Sequence, residues 1–158
     1  MEDDDEIRRP DRLPIYKKAM EIYDLTSKIV DLIPDDDEHL QSIKGFMLED
    51  ASIMAAKIAG AEGGDLYDIR MECAAIIRKA ARDLRTHCTG LEMFDFKETE
   101  YLDLVREEIE QFRLLFVEWV ASFDKWNYII DRWGLFNPPG VNYDDYDPDD
   151  DLPPPDFE

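Results

Sequence analysis

Histidine is almost missing from this chain. His39 and His87 are the only two in 158 residues, and that scarcity closes off several chemistries. A di-iron helical bundle needs carboxylates from four helices, with a histidine three positions after a glutamate on two of them. Here Asp36 stands three before His39, and Leu84 three before His87. Cysteine is as scarce. Cys73 and Cys88 fall on one predicted helix, where fifteen residues of rise put them roughly 22 Å apart, beyond disulfide reach. Two reduced thiols are expected, at least Cys73 packing in the core. His87 and Cys88 are neighbours, but neighbours point about 100° apart on a helix, so adjacency alone makes no nucleophile–base pair. Glycine clusters once, in Gly60-Ala61-Glu62-Gly63-Gly64. No strand precedes that cluster and no Gly-Lys-Ser/Thr follows it, which excludes a phosphate-cradling loop.

Bases are few. Eighteen Lys and Arg face 39 Asp and Glu, a net charge of −21. Residues 1–11 carry −4 of it and residues 140–158 carry −8, which leaves −9 on the body. Such a balance repels nucleic acid and anionic membranes on average. No apolar run approaches the roughly 20 residues needed to span a bilayer. The opening Met1-Glu2-Asp3-Asp4-Asp5-Glu6 is the opposite of a basic-then-apolar leader. Both features predict a cytoplasmic protein without a membrane span.

Apolar periodicity is what the chain does have. Leu102, Val105, Ile109, Phe112, Phe116, Val120 and Phe123 recur in steps of three and four and share one helical face. Ile15, Ala19, Ile22, Thr26, Ile29 and Ile33 form another such stripe; so do Leu40, Met47, Ala51, Met54 and Ile58, and Leu66, Cys73, Ile77, Ala80 and Leu84. Nothing between them alternates like a strand. The pattern predicts helices near 13–33, 37–59, 65–89 and 96–132 in an all-α, antiparallel up-down-up-down four-helix bundle, because short breaks favour antiparallel neighbours. Asp11, Asp65 and the pair Asp95 and Glu98 are the expected helix caps, Pro14 suits a first turn, Pro34 ends the first helix and Thr89-Gly90 the third. Asp35-Asp36-Asp37-Glu38 lacks the spacing of a calcium loop and suits the positive start of helix two.

The fourth helix is expected to be long. Its apolar phase continues through Trp126, Ile130 and Trp133, a reach of roughly 55 Å from Lys97 if unbroken. A kink near Ser122 to Lys125 is the alternative to a projecting end. Trp119, Trp126, Ile130, Trp133 and Phe136 are the candidate oligomer or partner interface, since large apolar surplus marks interaction sites; folding back on their own bundle is the other reading. The expected organisation is an acidic disordered arm over 1–11, the bundle over 12–136, and an acidic Pro- and Asp-rich disordered tail over 137–158. Acid alternating with aromatic in that tail also suits a segment that docks on a partner.

Two charged features bear on chemistry. Glu107-Glu108-Ile109-Glu110 partly echoes the magnesium-holding acids of all-α nucleotide pyrophosphatases, but a matching second acidic pair is missing and a solvated face accounts for it. Arg78, Lys79, Arg82 and Arg85 form a basic face on helix three. Such a stripe can track phosphates; within the chain it equally suits ion pairs with neighbouring acids. Neither feature calls for a metal or another cofactor.

The opening Ile15-Tyr16-Lys17-Lys18-Ala19-Met20-Glu21-Ile22-Tyr23-Asp24-Leu25-Thr26 resembles the first helix of the bacterial four-helix-bundle proteins of ribosomal RNA intervening sequences. Their relatives include the accessory variability protein of diversity-generating retroelements. Ile58-Ala59-Gly60-Ala61-Glu62-Gly63 is similar to the Ile-Ala-Glu-Gly segment of that family, with two residues inserted. The resemblance spans about residues 13–123 in layout. It implies a ring-like homopentamer, and in the retroelement branch a ring that binds a reverse transcriptase and nucleic acid through a basic surface. The acidic body, the aromatic end of helix four and the acidic tail depart from that pattern. The functional expectation is a non-enzymatic accessory protein that homo-oligomerises and binds a larger protein, a reverse transcriptase or another effector. The alternatives are a nucleic-acid-binding accessory protein using the basic face, and a metal-dependent all-α nucleotide hydrolase.

Overall fold

The structure is a computed structural model that describes residues 9–151. Four α-helices carry the fold: α1 Pro14–Val30, α2 Glu38–Gly63, α3 Tyr67–Met93 and α4 Thr99–Ala121. Short 3-10 turns cover Pro10–Arg12 and Pro148–Asp151, and the described residues include no strand. The helices close a bundle in which α1 rests on α2 and α4, and α3 on α2 and α4. One core of buried residues from all four helices fills it, with Ile22, Met47, Met54, Ile58, Ile77, Leu84, Leu102 and Phe112 among the most enclosed. Burying each such side chain is worth about 1.5–3 kcal/mol.

The helix ends follow local chemistry more closely than the apolar stripes do. Asp37 caps α2, its Oδ1 accepting from the N–H of His39 at 3.1 Å and of Leu40 at 3.0 Å. The other three expected caps are not made. Leu13 is the residue before α1, with Pro14 in the first turn; Asp11 lies further back in the 3-10 turn. Leu66 precedes α3, because Asp65 gives its carboxylate to Arg70 at 3.0 Å instead. Asp95 ends α3 rather than starting α4. It adopts φ +66°, and the N–H of Phe96 reaches back to the carbonyl of Leu91 at 3.1 Å. That is a left-handed helix stop, which Asp tolerates better than most residues. Gly60 and Gly90 do not stop their helices. Gly90 faces Ile43 of α2, where an added Cβ would lie in ordinary contact at 3.8 Å.

The long fourth helix is corrected. α4 has 23 residues and ends at Ala121, so the bundle helices stop well short of residue 132. The Asp, Asn and Gly residues beyond it offer the backbone other partners. Asp124 accepts from the N–H of Trp126 at 3.0 Å. Asp131 accepts from the N–H groups of Trp133, Leu135 and Phe136 at 3.0, 2.9 and 2.8 Å, which hold its carboxyl below the usual range. Asn137 closes the same loop, accepting from the Asp131 N–H at 2.7 Å and donating to the Asp131 carbonyl at 3.0 Å. Gly134 supplies a φ of +71°. The three-and-four spacing of Trp126, Ile130 and Trp133 is therefore not helical phase.

The expected disordered tail is likewise corrected as far as Asp151. Arg132 donates to the carbonyls of Tyr143 at 2.9 Å and Asp145 at 2.7 Å, and pairs with Asp150. Residues 152–158, and residues 1–8 of the expected arm, lie outside the described residues; Arg9 to Arg12 belong to the turn that leads into α1.

Candidate functional site

The helix pairs are unequal. α3 runs closely along α2 and makes less contact with α4. At one end Arg106 of α4 donates to Glu92 of α3 at 2.6 Å and to Asp103 at 2.9 Å, which lowers the Glu92 pKa and raises that of Arg106. At the other end Trp119 donates from Nε1 to Glu62 of α2 at 2.8 Å, and Phe123, just past α4, lies under the guanidinium of Arg70 of α3 at 5.3 Å. Asn127 ties the chain beyond α4 to the start of α3, donating to the Asp65 carbonyl and accepting from the Tyr67 N–H, both at 2.9 Å.

Between those two clamps a groove opens. One part, of about 390 Å³, has an apolar floor of Ala81, Ile109, Phe112, Phe116 and Val117. Its rims carry Arg78, Arg82 and Arg85 from α3, and Glu110 and Arg113 from α4. A second part, of about 250 Å³, continues past Arg78 and Phe116 over Met71, Ala74, Ala75 and Val120 to Phe136. Guanidinium groups are not buried without partners, so four of them keep the rims hydrated; beneath them Phe116 and Val117 stay open while Ile109 and Phe112 are buried. Arg113 is engaged by Glu110 at 2.6 Å, and Glu110 also feels Arg85. Lys79 pairs with Asp83 on its own helix at 2.5 Å. Arg78 and Arg82 have no side-chain carboxylate partner among the described residues.

The sequence-derived interface residues do not form one set. Trp119 is corrected: it is 7% exposed and packs inside its own chain against Phe123, ring centroids 4.8 Å apart. Ile130 and Phe136 are half-buried. Trp126 is 64% and Trp133 95% exposed, on the loop rather than on a helix. The basic residues Arg78, Lys79, Arg82 and Arg85 are all exposed on α3, and the arginines converge on the groove.

A polar pair went unread in the sequence. Asp50 of α2 lies 2.8 Å from Nδ1 of His87 of α3, and the Phe46 ring stacks on the imidazole at 5.5 Å. Burial raises the Asp50 pKa, against the opposing hydrogen bond from His87. The signal was present: Asp50 is three after Met47 and four before Met54, inside the apolar stripe. The adjoining cleft is lined by Phe46, Glu49, Ile53, Ile76, Lys79 and Asp83, with no hydroxyl or thiol to activate. Burial pushes the Cys88 thiol up to about 11, away from the thiolate that nucleophilic chemistry requires. Glu107 and Glu110 are exposed on α4, and no group of three or more metal-ligating side chains gathers among the described residues.

No family model, curated protein or solved structure matches the chain. Among the described residues no helix is long and apolar enough to cross a membrane.

Proposed function

We propose that this chain is a non-enzymatic accessory protein that acts by association: copies of it assemble, and the assembly binds a larger protein in the cytoplasm. The observation that carries the reading is the open groove between α3 and α4, an apolar floor rimmed by arginines in a strongly acidic chain. A bundle that worked alone would gain by closing that seam, and apolar surface left open is characteristic of an interaction site. The helices are arranged up-down-up-down in this reading. Supporting it, late α3 meets early α2 at Gly90 and Ile43, and the end of α4 meets the end of α2 at Trp119 and Glu62. The exposed Trp126 and Trp133 supply a second surface of the residue type favoured at hot spots. The resemblance to the ribosomal intervening-sequence proteins adds ring assembly, in fives, and a reverse transcriptase or similar effector as the class of partner.

Light scattering on the full-length protein at tens of micromolar tests the assembly. A mass of two or more chains is expected; a single-chain mass overturns this part of the reading. Two assays address the opposing classes. Magnesium-dependent nucleotidase activity abolished by Glu107→Gln would make the chain a hydrolase. RNA or DNA binding that weakens steeply with salt and is lost in Arg82→Glu would make it a nucleic-acid binder.

A further inference from the structure

We infer that the α3–α4 groove is the seat for the acidic, tyrosine-bearing segment that follows Gly140, supplied by a second copy of this chain. The inference rests on the proposal that copies assemble, and names the surfaces that do it. Three observations converge. The first is charge: Arg78 and Arg82 face the groove without a side-chain carboxylate partner among the described residues, in a chain where acids outnumber bases about two to one. Residues 140–151 carry six aspartates and no base. The second is apolar complementarity. Tyr143 and Tyr146 are exposed within that acidic run, at 59% and 76%, while the groove floor offers Phe116 and Val117. Aromatic rings flanked by carboxylates match an apolar floor flanked by guanidinium groups, which bind carboxylates bidentately.

The third observation is where the segment already lies. Arg132 gathers the carbonyls of Tyr143 and Asp145 and the Asp150 carboxylate, and among the described residues none after Phe136 lines either part of the groove. Residues 140–151 are thus folded on their own loop, away from the groove of their own bundle, so these residues meet a groove only on another molecule. At long range the acidic chain opposes a polyanion and a second copy alike. What favours the segment over phosphate is the match of its exposed tyrosines to the apolar part of the groove. A groove on one copy and a segment on the next make a head-to-tail contact, which closes into rings or extends into filaments.

The test is complementation between two full-length variants with exposed substitutions. Arg78→Glu/Arg82→Glu spoils the groove and keeps the segment; Asp144→Lys/Asp149→Lys spoils the segment and keeps the groove. Each alone is expected to run as a single chain by light scattering, with helical circular dichroism unchanged. Mixed in equal amounts, they retain one good groove and one good segment per pair, so a one-to-one dimer forms and grows no further. High salt should dissociate both this dimer and the wild-type assembly. If both variants keep the wild-type mass, assembly is real but uses another surface, and the inference is wrong. If the wild type itself is a single chain, the assembly reading fails first. If the variants are monomeric but do not recombine, the two surfaces do not meet. If Arg78→Glu/Arg82→Glu keeps its mass but loses salt-sensitive binding of an RNA oligonucleotide, the arginines serve phosphates instead.

Discussion

The two sides of α3 solve the same packing problem differently. Towards α2 the helix is closed: Gly90 lies over Ile43, and His87 reaches Asp50 across the seam. Towards α4 it is open: Ala74, Ala75 and Ala81 line a groove with Phe116, Val117 and Val120, and Arg78, Arg82 and Arg85 stand along it. A slender helix permits close approach only where its partner brings residues that fill the space. Where the rims are charged, the same small residues leave a groove. The closed side therefore carries stability, and the open side is free to carry recognition.

The largest expected effect separates the two directly. Ile77 is fully buried, and Ile77→Ala should cost about 2–5 kcal/mol through lost transfer energy and the cavity left behind. Val117 walls the groove and is 55% exposed, so Val117→Ala should stay within about 0.5 kcal/mol. Urea unfolding of both variants checks this. Comparable losses would mean that the seam between α3 and α4 is closed after all.

Next in size is the polar clasp on the closed side. His87→Ala leaves the Asp50 carboxylate buried without its partner, at a cost of about 2 kcal/mol near neutral pH. The pH dependence has a defined sign. Burial already holds the Asp50 pKa above its ordinary 3.8, and removing the imidazole raises it further. In the window from the unfolded value to the raised folded value, the native state binds more protons. Stability therefore falls as pH rises through that window, and falls further in the variant. The deficit of His87→Ala relative to the wild type should be larger near neutrality than in the acid range. A deficit that shrinks as pH rises would show that the buried Asp50 carboxylate is not what the pair stabilises.

The same contrast explains how much of the molecule could be read from its sequence. The four helices and their core faces follow from the apolar stripes, because burial repeats with the helix period: Leu102, Val105, Ile109, Phe112 and Phe123 are all buried. Phe116 and Val120 share that phase but are only half-buried, since they face the groove. Periodicity records which face is apolar, not whether a neighbour covers it. It also misplaced the end of α4. Trp126, Ile130 and Trp133 keep a three-and-four rhythm by coincidence, while Asp124, Asp131, Gly134 and Asn137 set the backbone through their own hydrogen bonds and turns. Trp119 was legible in retrospect, three after Phe116 and four before Phe123. The basic face of α3 was visible as a stripe, but its meeting with Arg113 and an apolar floor depends on how two helices diverge, which no single stripe encodes.

The smallest effect sharpens the comparison most, because it tries to turn the open side into a closed one. Ala75 is half-buried on α3 and lines the part of the groove nearest Phe136. Ala75→Leu adds three carbons where space exists. Each buried methylene is worth about 0.8 kcal/mol, and fixing a leucine side chain costs about 0.5–1 kcal/mol. Both residues are good helix formers, so the backbone is nearly indifferent. The expected outcome is a gain of up to about 1 kcal/mol in urea unfolding, set against the 1–3 kcal/mol loss typical of overfilling a packed core. The groove would pay for that gain in recognition: a leucine in the seat should weaken self-association while leaving the fold firmer. A destabilised Ala75→Leu would mean that the seam is already full, and the contrast between the two sides of α3 would then lie in charge alone.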